Sequence, residues 1–295
     1  MDHKDFLSRL PPAELNRLNR RSGRAGLWHL AGHLGLLVVG AFWIGQGLPL
    51  WQIILPVHGV ILVFLFTLEH ETTHRTPFAQ DWQSDWVGRA CGVLLLLPFE
   101  WFRYFHLAHH RHTNVEGKDP ELDGYRGHLD QWRPFLWHVT GLPYWWGMAR
   151  VLVRNVAGRP IGDYLPPRAH GRIIREARVM LVVYIAALAS LSVSPLLFWI
   201  WLFPAFLGQP ALRLYLMAEH GRCPKVADMF DNTRTTYTNR VLRFLAWNMP
   251  YHTEHHVLPS VPFHNLPAVN RMMKDHLQHE SPGYAAFTRE TLRQL

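Results

Sequence analysis

Trp51-Gln-Ile-Ile-Leu-Pro-Val-His58-Gly-Val-Ile-Leu-Val-Phe-Leu-Phe-Thr-Leu68 contains no Asp, Glu, Lys or Arg, and it leads directly into Glu69-His70-Glu-Thr-Thr-His74. An apolar stretch of about 20 residues suits a helix that crosses a bilayer. Histidines at i and i+4 share one helix face. Two further clusters repeat the pattern: His106-Leu-Ala-His109-His110 and His252-Thr-Glu-His255-His256. Each cluster can therefore aim two or three imidazoles at a common point. One metal ion takes about four to six ligands and cannot use all of these rings, whereas two ions can. An all-nitrogen dinuclear site beside hydrophobic helices points to oxygen chemistry on a lipidic substrate.

Average composition hides the membrane signal, because the mean hydropathy is only -0.06. The apolar residues are concentrated instead. Residues 25–45 form another long run, and from 179 to 217 the only charge is Arg213. That last stretch is long enough for two helices, with Ser192-Val-Ser-Pro195 as the turn. The reading is an all-α membrane protein, one domain over residues 1–295, with four transmembrane helices in two hairpins. The spans are 25–45, 51–68, 179–193 and 196–217, and a cytosolic helical cap is made from 1–24, 69–178 and 218–295.

Charge placement orients these spans. Lys4, Arg9, Arg17, Arg20, Arg21 and Arg24 precede the first, and the middle region and tail are rich in Arg. The two short connections, 46–50 and 192–196, hold no Lys or Arg. Positive flanks mark cytoplasmic ends, so both termini and the middle region are expected there, with 1–24 as a short interfacial helix. The net charge of +8 follows the span boundaries and forms no single basic stripe, which argues against a nucleic-acid partner. The first apolar run is too long for a cleaved signal peptide and no small-residue cleavage site follows it. Cys91 and Cys223 stand far apart without a CxxC partner, so neither a structural disulfide nor a cysteine-held cluster is expected. Residues 87–105 and 134–153 are apolar and aromatic but interrupted, the first by Arg89, Glu100 and Arg103. Each suits a helix lying in the membrane interface.

Topology then agrees with spacing. His70 and His74 leave the first hairpin, His220 follows the second, and the other clusters lie in the middle region and tail, all on one side of the membrane. Neutral imidazole suits iron, zinc, copper and nickel, so ligand type alone does not select the metal. A hydrolytic zinc site needs about three protein ligands and an open position, fewer than these clusters supply. Breaking an unactivated C–H bond with dioxygen needs redox metal, and two irons can share the electrons. Glu71, Asp119, Glu121, Asp123, Glu219 and Glu254 are candidates to accept the second N–H of ligand histidines. His58 lies inside the second span, where an ionisable group is costly and often functional. His112, at i+6 from His106, points away from the cluster face. The remaining histidines, His29 and His33 among them, have no patterned neighbours and read as surface or core residues. Spacing alone leaves His220 undecided.

With these residues in hand, the chain resembles the membrane fatty acid desaturase superfamily, which includes hydroxylases and ketolases. The match runs over about residues 68–266. It rests on the three ordered histidine clusters, on Arg111-His-Thr-Asn114 and Lys118-Asp-Pro-Glu121, and on Asn232-Thr-Arg-Thr-Thr236 leading to Asn248-Met-Pro-Tyr-His252. The last run is similar to bacterial acyl-lipid desaturase-like proteins, which implies a bacterial inner membrane. The resemblance implies two irons in the cytosolic cap, held by His70, His74, His106, His109, His110, His252, His255 and His256, with His220 as an additional ligand. It implies dioxygen as co-substrate and a double bond placed in a fatty acyl or similar chain, with hydroxylation as the alternative outcome. No His-Pro-Gly-Gly haem motif is found, so electrons are expected from a separate ferredoxin or b-type cytochrome with its reductase.

Two rivals compete. His70-Glu71-x-x-His74 is also a zinc protease signature with Glu as general base, and Leu122-Asp123-Gly124 matches a ligand motif of intramembrane metalloproteases. Those residues sit in a polar loop, however, and six clustered histidines stay unexplained. A metal transporter or sensor would want polar residues along the spans, where only His58 and Gln209 are visible.

Overall fold

Close backbone contact between two apolar helices sets the base of the molecule. The structure, a computed structural model, describes residues 1–122 and 130–295. Two short helices, α1 (His3–Arg9) and α2 (Pro12–Leu18), precede α3 (Gly23–Gly45), whose first turn is capped by the Ser22 hydroxyl accepting from the Ala25 N–H. The expected single interfacial helix at the N-terminus is thus two. A tight turn with Gly47 and Leu50 in the left-handed region leads into α4 (Trp51–Val63), which runs on through Phe64 into α5 (Leu65–Thr73). The segments Pro12–Gly45 and Trp51–Thr73 are the two, among the described residues, that are long and apolar enough to cross a membrane.

The middle region departs from the sequence reading. Residues 87–105 are not one interfacial helix but parts of α6 (Asp81–Leu95) and α7 (Phe99–His112), broken where Leu96 turns left-handed before Pro98. The charges that interrupt its apolar pattern face inward. Arg89 and Arg172 both donate to the buried Glu100 carboxylate, Arg103 donates to Asp85, and Arg75 reaches Asp85 at 2.9 Å. Residues 134–153 likewise divide into α8 (Trp132–Val139) and α9 (Leu142–Val156), broken at Gly141, with Trp137 and Trp146 exposed.

α10 (Pro167–Ser190) carries Arg168, Arg172, Arg175, Glu176 and Arg178 in its first half and is uncharged from Val179 onward. A π-helical turn, Phe198–Leu202, opens α11 (Phe203–His220). The tail folds as α12 (Met229–Asn232), β1 (Thr235–Thr236), α13 (Arg240–Leu245), α14 (His252–Val257), α15 (Leu266–Met273), β2 (Glu280–Ser281) and α16 (Tyr284–Leu292). The two short strands pair in parallel, Thr235 opposite Glu280 and Thr236 opposite Ser281, and so pin the end of the chain beside α11.

α4 packs most extensively on α11. A methyl group on Gly59 would stand 2.2 Å from the Pro204 carbonyl oxygen, and one on Gly208 2.2 Å from the Gly59 oxygen. In lipid, where hydrophobic burial drives no association, small residues that let backbones touch are what hold helices together. The histidines without patterned neighbours brace this base. The His58 ring donates to the Ile200 carbonyl in the π turn at 2.9 Å, a structural use of a costly in-span group. His33 donates to the Ile61 carbonyl at 2.9 Å and accepts from the indole of the fully buried Trp247, which ties base to cap. Val38, Val39 and Phe42 on α3, Ile53 and Val57 on α4, and Val182, Ile185 and Leu188 on α10 are each more than half exposed. Such a surface is unfavourable in water and matched in hydrocarbon.

Replacing Gly208 with Leu should wedge α11 off α4 and lower stability by at least about 1–3 kcal/mol, seen as a reduced melting midpoint of the detergent-purified protein. Gly35→Leu, where an added Cβ meets nothing within 4 Å, should leave the midpoint essentially unchanged. Equal midpoints for the two variants would refute the close packing.

Candidate metal centre

Four helix ends deliver the histidines to one place. His70 lies in the last turn of α5 and His74 caps it, one turn further on. His106, His109 and His110 occupy the last two turns of α7. His220 is the final residue of α11, whose end is fixed by the Arg234 guanidinium donating to the Ala218 and Gly221 carbonyls at 3.0 and 2.6 Å. Trp247 and Asn248, both left-handed, turn the chain into α14, which carries His252, His255 and His256. All of these rings are buried except His74, which is partly so.

They separate into two groups. Nitrogens of His70, His74, His106, His110 and His255 lie within 4.8 Å of one another, and so do those of His109, His220 and His256. His252 belongs with the second, its Nε2 standing 3.0 Å from that of His220 and 3.1 Å from that of His256. Two rings of each cluster share one group. In His106-x-x-His109-His110 and His252-x-x-His255-His256, the i and i+4 rings go to one group and the i+3 ring to the other. Neighbouring residues on a helix point about 100° apart, so each His-His pair straddles the two centres. His112 joins neither group.

Ring orientation tests whether this donor set fits metal. His109 donates from Nδ1 to Asp119 at 2.9 Å, His220 from Nδ1 to the Asn232 carbonyl at 3.1 Å, and His256 from Nδ1 to the Thr113 hydroxyl at 3.1 Å. The Thr113 hydroxyl is spent on the His109 carbonyl and can only accept from the ring. Each Nδ1 therefore carries the proton, and each Nε2 turns a bare lone pair inward. Inside the groups, Nε2 atoms approach at 2.7 Å (His70 and His255), 2.9 Å (His74 and His106) and 3.2 Å (His109 and His220). Lone pairs so close repel unless a cation stands between them. Adjacent nitrogens around an octahedral ion with bonds near 2.1 Å are about 3 Å apart. Both groups fit a metal ion, and neither contains a carboxylate among the described residues.

Burial sets the charge state as well. Desolvation first, and the neighbouring rings second, hold His106, His110, His252, His255 and His256 well below the ordinary histidine range. These rings are neutral at physiological pH, the form that ligates metal. Burial pushes the Asp119 carboxyl up, but hydrogen bonds from His109 and from the Glu121 and Asn114 backbone outweigh it, leaving it ionised below the usual range.

The carboxylates expected to orient ligands divide unevenly. Asp119 does so directly. Glu219 lies 3.6 Å from His252 Nδ1 and Glu71 3.8 Å from His255 Nδ1, while Glu121 is 3.9 Å from His109 Nδ1. Glu254 does not face a histidine: it accepts from Thr235 and Asn270. Asp123 and Gly124 lie outside the described residues. Sequence reasoning missed Thr113 and the Asn232 carbonyl as partners, since no spacing rule marks a hydroxyl or a main-chain oxygen. Asn114 and Asn232 lock this shell further, their amides donating to the Asn232 and Thr113 carbonyls at 3.1 and 2.9 Å. A cavity of about 370 Å³, lined in part by His109, His220, Met217 and Phe287, opens beside the second group. The His70-Glu71-x-x-His74 pair sits within a five-histidine group, not a three-ligand hydrolytic site.

Comparison with known proteins agrees with this geometry. A family model described as Fatty acid desaturase matches residues 49–288. The chain is 25% identical over 267 residues to a sphingolipid delta(4)-desaturase/C4-monooxygenase (DES2) of Mus musculus, covering 85% of this chain and 75% of that protein. It is 23% identical over 260 residues to an sn-1 oleoyl-lipid 12-desaturase of Arthrospira platensis, covering 79% and 72%.

Asp119→Ala should free the His109 ring to turn and weaken metal held by the second group by about 10–100-fold, while the five-histidine group keeps its ion. Metal retained after dialysis against a chelator should fall to about half the wild-type content. Full retention would show that Asp119 does not orient a ligand.

Proposed function

The chain belongs to the fatty acid desaturase family, and from that premise we propose that it is a dioxygen-dependent di-iron enzyme that introduces a double bond into a fatty acyl or similar lipidic chain. Membership makes it a membrane-bound oxidoreductase of lipid metabolism. The finer reading is carried by one observation, the division of nine histidines into groups of five and four with Nε2 turned inward.

One iron would be held by His70, His74, His106, His110 and His255, the other by His109, His220, His252 and His256. Iron bound there supplies the redox chemistry with dioxygen that oxidises an unactivated C–H bond. Everything else falls to the protein. Asp119, the Asn232 carbonyl and Thr113 hold the Nδ1 protons of His109, His220 and His256. Burial of the rings keeps water from competing for the donors. Electrons come from a separate ferredoxin or b-type cytochrome with its reductase.

We propose four spans, 25–45, 51–68, 179–193 and 196–217, in a bacterial inner membrane with both termini and the histidines cytoplasmic. The packing of α4 on α11 supports this, because it places the ends carrying His70 and His220 at one face. The connections without Lys or Arg support it too. Hydroxylation is the second reading, favoured by the DES2 relative, whose name pairs desaturase with C4-monooxygenase. Both outcomes need the same ligands and differ in how the substrate carbon is placed.

Lipid analysis of cells expressing the chain should show a product two hydrogens lighter, formed only with oxygen. His255→Ala, His70→Ala and His220→Ala should each abolish it while still reaching the membrane. Glu71→Gln should cost at most about 10–100-fold, whereas a metalloprotease would lose its general base and all turnover. A hydroxylated product would select the second reading. Normal product from His220→Ala would remove His220 from the site.

A further inference from the structure

Two cavities meet at α16 from different sides. The one beside the second histidine group takes Met217 and His220 from α11 and Phe287 and Thr291 from α16. The other, a groove of about 590 Å³, takes Leu214 and Tyr215 from α11 and Tyr284, Ala285 and Arg289 from α16. Its remaining walls are Val60 and Phe64 at the end of α4 and Leu242 on α13. Four helices thus enclose the groove, two from the apolar base and two from the cap, and it opens at the seam where base and cap join.

One layer of side chains parts the two cavities. Tyr284 lines the groove, yet it packs against Met217 and Phe287, which line the inner cavity. Its ring stacks on that of the buried Tyr215, with centroids 4.8 Å apart and planes at 26°. One turn beyond Tyr215, Glu219 stands 3.6 Å from His252 Nδ1. The groove therefore ends against the wall of the histidine site. The helix that makes this wall is lightly fastened. Phe287 lies under the Arg234 guanidinium at 4.7 Å, Arg222 donates to the Glu290 carbonyl at 3.5 Å, and among the described residues no ion pair ties α16 down. An apolar seam of this kind parts at lower cost than one closed by buried ion pairs.

The groove's chemistry says what it takes. Val60, Phe64 and Leu214 make its depth apolar, and its cap edge carries Arg289, which is exposed and without an ion pair among the described residues. A chain that enters here with its polar end outside belongs to a lipid lying in the bilayer. A thioester on a soluble carrier would keep its polar part beyond the cap and has no use for an opening at the base. Resting on the reaction proposed above, we propose that the substrate chain stays attached to a bilayer lipid and reaches the histidines from this groove, passing beneath α16 where Tyr284 parts from Tyr215. The headgroup stays at the Arg289 edge, and Tyr284 acts as a positioning residue that closes the passage.

Photo-crosslinking reads this passage without needing turnover. The full-length protein is reconstituted in dioleoylphosphatidylcholine vesicles that hold the same lipid with a diazirine in mid-chain, and marked residues are mapped by mass spectrometry. Groove residues facing the bilayer are open to any lipid, but Met217 and Phe287 are buried and should be marked only by a chain that has passed beneath α16. Ala285→Trp and Leu214→Trp, which fill the groove, should each cut the marking of these two residues by about tenfold or more, with metal content unchanged. Tyr284→Ala should raise it, and Tyr284→Phe, which keeps the ring stack, should not. Unmarked Met217 and Phe287 in the unaltered protein, marking that survives both Trp variants, or marking by a diazirine thioester on a soluble carrier protein in place of the lipid would each overturn the passage. Unmarked residues with lipid desaturation intact would strike the passage and leave the proposed reaction standing, whereas full marking with no product would do the reverse.

Discussion

Nine imidazoles with Nε2 turned toward two points in a dry interior form an arrangement that cannot hold itself together. Nε2 atoms stand 2.7–3.2 Å apart, and those of His109, His220 and His256, whose protons lie on Nδ1, repel one another. Two needs follow, and the rest of the molecule meets them. The rings must be fixed from behind, by Asp119, the Asn232 carbonyl and Thr113. The four helix ends that carry them must be held in register. A cation at each point then converts mutual repulsion into ligation, which is why metal and fold are coupled in such sites.

Register comes from both halves of the molecule. In the base, Gly59 and Gly208 let α4 and α11 touch, so the ends bearing His70 and His220 arrive together. In the cap, ion pairs set α7 against its neighbours, with the buried Glu100 gripped by Arg89 and Arg172 and the partly exposed Asp85 by Arg75 and Arg103. Pairs of this kind add little net stability against their desolvation cost, but losing one partner leaves a buried charge uncompensated. They fix position more than they add energy. His33 joins the halves through Trp247. Histidine thus serves two purposes here: unpatterned rings bond to main-chain carbonyls and brace the base, and patterned rings face each other.

Spacing made the clusters legible, because i, i+3 and i+4 geometry is local and needs no tertiary information. It leaves open whether two or three rings of a cluster share a centre. The split of His109 from His110 and of His255 from His256 depends on where the partner helices stand, which no single helix encodes. His220 was undecidable for the same reason, since a lone histidine acquires meaning only from rings brought to it by α7 and α14. The first hairpin was plain from uncharged runs. α10 and α11 are less legible, as α10 is charged through its first half and α11 begins in a π turn. Breaks at Leu96 and Gly141 escaped a reading based on apolar content, because each depends on one residue turning left-handed.

The proposed function requires two iron ions in all-imidazole surroundings. Iron K-edge X-ray absorption on the purified protein, paired with elemental analysis, tests it most directly. The account predicts two irons per chain and a first shell of light atoms, with the multiple-scattering signature of about four to five imidazoles per iron and no sulfur. One zinc per chain, or an iron shell with only one or two imidazoles, would contradict it.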